Sequence, residues 1–367
     1  MRLAFADVLA VALFGLFSTT TKKNNNKMSR KIASVVPAKK ASGAPISRLI
    51  GTTDIDGEGT THSLPQVDPF MLLDHANLPQ SDLPPFGAHP HYGHSVVTLL
   101  LQGQEKSWDS FTNKDTVVKA PASYYVDAGS GLFHNEVSVV PNPDDPSQHI
   151  SLYQLWISVN AKDRQKPAKL QYDTNLPLVD AKDDDGAVVG EIRYYIGGGG
   201  TIQTIHPITV AHVAQKAGTS FKFPIPKGFG GFVVSMTGSH WLHRKSTVSA
   251  FFSEGRVEPG QPNDVLVLEN DNDGGEQDGY LLVQTSPSPA TEKEAVADYL
   301  VCIGERIGEP WFKKLVANGA VIAASEDEVR EMAEKVEGYA AAGKSKENGS
   351  FAPFGVDVDS LHSAKYI

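Results

Sequence analysis

"PFGAHPHYGHSVVTLLLQG", residues 85–103, changes character halfway: a loop rich in Pro and Gly, with two histidines one residue apart, runs into a β-branched apolar stretch closed by another glycine. An apolar run this short, bounded by turn residues, is a strand and not a helix. Side chains alternate along a strand, so His89 and His91 project from one face, close enough to hold one metal ion. Strict alternation from His91 sends His94 to the opposite face, unless Gly93 marks a bulge that reverses the parity. An exposed or packed His94 is therefore preferred to a ligand.

The same texture extends both ways from this segment. "FMLL", "TVVKA", "SYYVDAG" and "ISLYQLWISV" fill the region up to about residue 160, and "TIQTIHPITVAHVAQ", "TSFKFPI", "GGFVVSMTG", "DVLVLEN" and "GYLLVQT" repeat the pattern over about 202–305. Short runs at this spacing are antiparallel strands of a sandwich or barrel. The expected fold class is all-β, two barrels in tandem with a few short helices: a metal-binding domain at 45–170, a connection at 171–200, and a second domain at 201–342. The connection is acidic ("VDAKDDDGAVVGE") and ends in "GGGG" at 197–200, where no GK[ST] follows, so it reads as a bent linker and not a phosphate loop. One helix is expected at about 326–342: Ser325 and Glu328 form a capping box, Val329, Met332, Ala333, Val336 and Ala340 share a face, and Gly343 ends it. The polar tail, 343–367, is expected to be poorly ordered.

The chain has 367 residues and a formal net charge of −10, which disfavours a sequence-independent grip on nucleic acid. Its single cysteine, Cys302, rules out an intramolecular disulfide and a thiolate metal site, and reads as a small apolar strand residue. Residues 1–44 stand apart. "MRLAFADVLAVALFGLFSTT" resembles a signal-peptide core, although Asp7 interrupts it and Val8 to Phe17 is too short to span a bilayer. The basic stretch after it resembles a targeting sequence, and a start at Met28 is a third option. Organellar or secretory targeting stays open.

A second doublet, "GLFHNE", sets His134 and Glu136 two apart on one strand face. If the intervening strands close into a barrel, three imidazoles and one carboxylate aim at a single point. Such a set suits Fe(II), Mn(II), Ni(II), Cu(II) or Zn(II), and on an octahedral ion it leaves two positions open. Phe86, Tyr92, Leu132 and Phe133 are candidates to line a pocket for an aromatic molecule, with Phe133 on the face opposite His134. "HWLH" at 240–243 could bind metal on a helix, but its flanks read as strand and turn.

"VDPFMLLDHANLPQSDLPPFGAHPHYGHSVVTLLLQG", "DAGSGLFHNE", "YQLWISV", "FPIPKG" and "GERIGEPWFKKLVANGAVIAASEDEVREM" resemble, in order, successive blocks of the pirin family, bicupin proteins of the cupin superfamily. The likeness covers roughly residues 45–342. It implies two cupin barrels, with iron held in the first by His89, His91, His134 and Glu136 and no metal in the second. Residues 201–300 agree, holding His206, His212, His240 and His243 without an H-x-H or H-x-E pair. The resemblance also places His75 on a loop near the pocket mouth. Pirins usually follow the HPH block with Arg-Gly-Phe-Glu; here stand Tyr92, Gly93, His94 and Ser95, and Ser95 cannot replace a metal-binding glutamate.

The activity implied is that of a dioxygenase, Fe(II) first among the metals, which opens a small aromatic substrate such as a flavonol with O2 in a quercetinase-type reaction. Glu136 could serve as base besides acting as ligand. The alternative is a non-catalytic, redox-sensitive iron protein acting as a transcriptional co-regulator through protein partners. A third option is a purely structural metal, with His94 the first suspect to close its coordination. The remaining expectations are no direct nucleic-acid binding, no membrane span in the mature protein, a monomer, and a cytoplasmic or nuclear location by resemblance.

Overall fold

The computed structural model describes residues 28–344 with breaks at 38, 41–45, 54–61, 64–66, 83–86, 113, 140–147, 237–239, 242–243, 246–248, 253–256, 258–262, 270–277, 288–295 and 317–318. The apolar leader and the tail from 345 onward lie outside the described residues.

Among the described residues, four main sheets and one α-helix stack in layers. The strand His94–Gln102 shows why: Val97, Leu99 and Leu101 point one way and Val96 and Leu100 the other, and all five are buried. A strand covered on both faces needs apolar residues on both, which explains the unbroken run in the sequence. This strand is central in a seven-stranded sheet, between Ala122–Asp127 and His149–Ser158. One face packs against a six-stranded sheet, in the order Lys114–Lys119, Gln104–Asp109, Leu132–Ser138, His89–Tyr92, Gly319–Ala323, Phe312–Val316, and the two sheets form the first barrel. The other face meets a second seven-stranded sheet through Val97, Leu99, Tyr125 and Tyr153 on one side and Phe232, Val234, Leu300 and Cys302 on the other. The second barrel closes with a four-stranded sheet over Phe221, Phe223, Phe252, Leu281 and Tyr299. The fold class is as expected, two jelly-roll barrels in one chain.

The domain boundaries differ from the expected ones because the barrels exchange their ends. Strands Met28–Ser29 and Ile32–Val36, within the segment set aside as targeting-like, pair with Gly279–Thr285 and Val265–Leu268 of the second barrel. Strands Phe312–Val316 and Gly319–Ala323, assigned to the second domain, complete the first barrel instead, with Gly319–Ala323 lying parallel to His89–Tyr92. The expected connection at 171–200 is mostly an antiparallel hairpin, Leu178–Lys182 with Val188–Ile196, at the edge of the second barrel's sheet. Acidic residues occupy its turn, which is where the composition resembled a linker.

The helix Glu326–Lys344 runs two residues past the expected end and packs on the first barrel. Val329, Ala333 and Val336 meet Tyr92, Trp108 and Phe133 on the outer face of the six-stranded sheet. Burial of each valine side chain contributes about 2 kcal/mol. Among the described residues no helix is long and apolar enough to cross a membrane.

Candidate metal centre

The centre forms where two strands of the six-stranded sheet run antiparallel, with Leu132 opposite His91 and His134 opposite His89. His89, His91 and His134 all face the barrel interior and are buried, while Pro90 and Tyr92 point outward. The pairing brings His89 Nε2 to 3.0 Å from His134 Nε2. The His91 ring centroid lies 5.0 Å from that of His89 and 4.7 Å from that of His134. One ligand atom from each of the three lies within 4.8 Å of the others, and among the described residues no other group of three or more His, Cys, Asp or Glu converges in this way.

The protonation pattern matches a cation site. His89 Nδ1 is 2.9 Å from the Gly87 carbonyl, which can only accept, so that nitrogen carries the proton and Nε2 is bare. His91 Nε2 is buried without a hydrogen-bond partner. Burial pushes the His89 imidazole down to about 4 and His134 to about 3, and holds His91 well below its ordinary value. Neutral imidazoles with lone pairs aimed at one point repel each other unless a proton or a cation lies between them. The residues therefore fit a divalent metal.

Glu136 shares the interior face of the strand but stands beside the three histidines. Its Oε1 is 3.7 Å from His134 Nδ1 and 3.1 Å from the Thr98 hydroxyl. Thr98 Oγ1 also lies 3.0 Å from Gln154 Oε1, and its single proton can serve only one of the two acceptors. Burial raises the Glu136 carboxyl, against the lowering influence of His89 and Thr98. Glu105 is buried on the neighbouring strand and is raised well above the carboxylate range by burial first and Glu136 second. The site thus holds a second buried carboxyl group that the sequence reading missed, because "GQEKSW" carries no ligand-like spacing.

His94 is the main departure from simple alternation. Gly93 adopts φ +76°, and a Cβ there would come within 2.1 Å of the Ile322 carbonyl oxygen. This left-handed residue resets the parity and turns His94 inward, buried, with Nε2 3.1 Å from His91 Nδ1. Trp156, overlooked inside "YQLWISV", packs against both rings with centroids at 5.3 and 5.0 Å. Tyr124 stacks on Tyr172 at 4.6 Å and approaches the His134 ring to 6.3 Å. The indole nitrogen of Trp156 and the Tyr124 hydroxyl are buried without partners.

The other candidates disperse. Leu132 faces the interior, whereas Tyr92 and Phe133 pack beneath the helix; Phe86 lies outside the described residues. His75 is not on a loop: it sits in strand Phe70–Pro79, stacked 4.5 Å from Tyr153 of the inter-barrel core. Ser95 accepts from the Tyr125 hydroxyl on that same side of the sheet. His206 accepts from the Asn160 N–H, and His212 pairs with buried Asp298 at 2.9 Å. His240 lies in a short hairpin, His240–Trp241 with Arg244–Lys245, and His243 is outside the described residues. Cys302 is a buried strand residue, as expected.

Comparison with known proteins agrees with this architecture. A sequence profile of the family named Pirin matches residues 52–157. A Pseudomonas aeruginosa protein provisionally named quercetin 2,3-dioxygenase is 30% identical over 185 residues, 47% of this chain and 62% of that protein. A pirin-like protein of Caulobacter vibrioides is 27% identical over 205 residues, 53% of this chain and 67% of its own length. The chain thus spans about three fifths to two thirds of the length of these relatives. The solved structure of Acinetobacter baumannii quercetin 2,3-dioxygenase shares the fold, with a TM-score of 0.63 at 19% identity over 86% of this chain and 98% of that one.

Two jelly-roll barrels in one chain, the first carrying a buried three-histidine cluster able to hold a metal ion, make this protein a bicupin. Over residues 52–157 the chain matches the Pirin family, and it is similar to pirin-like proteins over about half of its length.

Proposed function

We propose that this chain is a metal-dependent dioxygenase of the quercetinase type, with Fe(II) as its working metal. The observation that carries the reading is the convergence of three buried imidazoles, kept neutral by burial, each offering one nitrogen within 4.8 Å of the others inside the first barrel. His89, His91 and His134 would hold the ion, with Glu136, hydrogen-bonded by Thr98 beside them, as the candidate fourth ligand. When bound, the metal supplies Lewis acidity toward a substrate hydroxyl and a redox route to dioxygen.

The chain's own residues supply the rest. Glu136, its carboxyl raised by burial, would take the proton of a phenolic hydroxyl; its position beside His134 supports this role. Trp156 and Tyr124 offer flat apolar faces together with an unpartnered N–H and O–H, the combination that orients a hydroxylated aromatic ring. The quercetin 2,3-dioxygenase names of two similar proteins point to the same substrate class.

The test pairs metal content with oxygen uptake by the Fe(II)-loaded chain in the presence of quercetin and related flavonols. Stoichiometric metal and metal-dependent uptake, both abolished in His134→Ala, are expected. Stoichiometric metal without uptake across the flavonol panel would overturn the dioxygenase reading in favour of a metal-dependent binding protein.

A further inference from the structure

Two of the three imidazoles have their outer nitrogens fixed by the backbone or left beside a carboxylate. His91 differs: its Nδ1 faces another histidine. His94 Nδ1 lies 3.0 Å from the Tyr92 carbonyl oxygen, which can only accept, so Nδ1 carries the ring's proton and Nε2 keeps its lone pair. That lone pair, 3.1 Å from His91 Nδ1, requires a proton on His91 Nδ1 and leaves His91 Nε2 bare. His91 Nε2 is indeed the buried atom without a partner. The polarity of the whole chain, from Tyr92 carbonyl through His94 to His91, is thus set by one backbone oxygen. Trp156 holds both ring planes, at 5.3 Å from His91 and 5.0 Å from His94.

We propose that His94 is a positioning residue of the metal centre: it locks His91 in the tautomer whose Nε2 is free to bind the ion. The inference deepens the metal-centre reading and rests on it for the affinity effect, though the tautomer itself can be observed without metal. His94 is not a ligand here, because its one available lone pair is committed to His91. Outer hydrogen-bond partners of this kind fix ring orientation and basicity, and removing them typically weakens metal binding about 10–100-fold.

The experiment uses the full chain, metal-stripped and 15N-histidine labelled, in three forms: wild type, His94→Phe and His94→Gln. Glutamine can accept from His91 with its carbonyl while its amide donates to Tyr92, so it keeps the polarity that phenylalanine abolishes. Long-range 1H–15N spectra should show His91 as the Nδ1–H tautomer in wild type and His94→Gln, and a mixture in His94→Phe. Co(II) affinity, read by competition, should fall about 10–100-fold in His94→Phe and return to within a few-fold of wild type in His94→Gln. A wild-type His91 that carries its proton on Nε2 overturns the proposal even if His94→Phe fails to fold. So does a folded His94→Phe with wild-type tautomer and affinity. A wild type that binds no Co(II) refutes the metal-centre reading separately, and the tautomer comparison then decides this proposal alone.

Discussion

Asp127 sits at the end of strand Ala122–Asp127, hydrogen-bonded by Ser95 at 3.4 Å, with burial lifting its carboxyl from an ordinary 3.8 to about 6. A carboxyl raised on folding binds its proton more tightly in the native state, so its contribution to stability is lost as pH rises from about 4 to about 6. At about 1.4 kcal/mol per pKa unit, a rise from 3.8 to about 6 means that the native state gives up about 3 kcal/mol by neutral pH. Asp127→Asn should therefore raise stability by about that amount at pH 7.5 and by almost nothing at pH 4, measured by urea unfolding at both values; an equal effect at the two pH values would refute the assignment. Gly93 is the second residue on which local structure turns. Gly93→Ala places a side chain on a φ of +76° and against the Ile322 carbonyl, and should cost about 2 kcal/mol or more in the same assay while weakening metal binding by displacing His94. The convergence of His89, His91 and His134 was legible because alternation holds within each strand, with Phe133 turned outward; Glu136 stands beside that cluster, hydrogen-bonded by Thr98, and not within it. His94 was not, since one glycine decides its direction and a sequence shows only that a bulge is allowed. Trp156 and Glu105 were hidden for another reason, as strands buried on both faces carry no polar-apolar contrast to mark the functional side.

At the level of elements, the C-terminal helix was readable almost to the residue. Ser325 Oγ accepts the Glu328 N–H at 3.2 Å, the bond that the S-x-x-E spacing implies, while the Glu328 carboxylate accepts the N–H of Ala324, one residue ahead of the cap, at 3.0 Å. Ser325→Ala should cost about 1 kcal/mol and lower hydrogen-exchange protection in the first helical turn, leaving the barrel strands protected. Uniform loss of protection across the chain would show that the helix and the barrel open together. Its docking partner was not readable. Periodicity identifies the apolar stripe of Val329, Ala333 and Val336 but not the sheet that receives it, and chain order suggested the second barrel. The return of Gly319–Ala323 to pair with His89–Tyr92 brings the helix to the first barrel instead. The same strand braces the metal-binding segment from one side while Leu132–Ser138 holds it from the other, so the HPH doublet lies inside the sheet and not at its edge.

At the scale of the whole molecule, exchanged ends and a shared apolar layer tie the two barrels together. Asp68, ahead of the first barrel's long strand, accepts the N–H groups of Ile307 and Gly308 at 3.2 and 2.7 Å, just where the chain leaves the second barrel. Cys302 reports on this joint. It lies on strand Val296–Glu305 of the second barrel, fully buried among Leu99, Tyr153 and Phe232 and their neighbours, and burial pushes its thiol far above the ordinary range. A neutral, enclosed thiol is unreactive until the two seven-stranded sheets separate. If the barrels unfold as a unit, labelling of Cys302 by a thiol reagent should be slower than that of an exposed cysteine by the factor set by global stability. The labelling free energy should then fall with urea at the same slope as the unfolding curve. Labelling with a shallow urea dependence would mean that the barrels part without unfolding, and that the metal-bearing half can move against its neighbour.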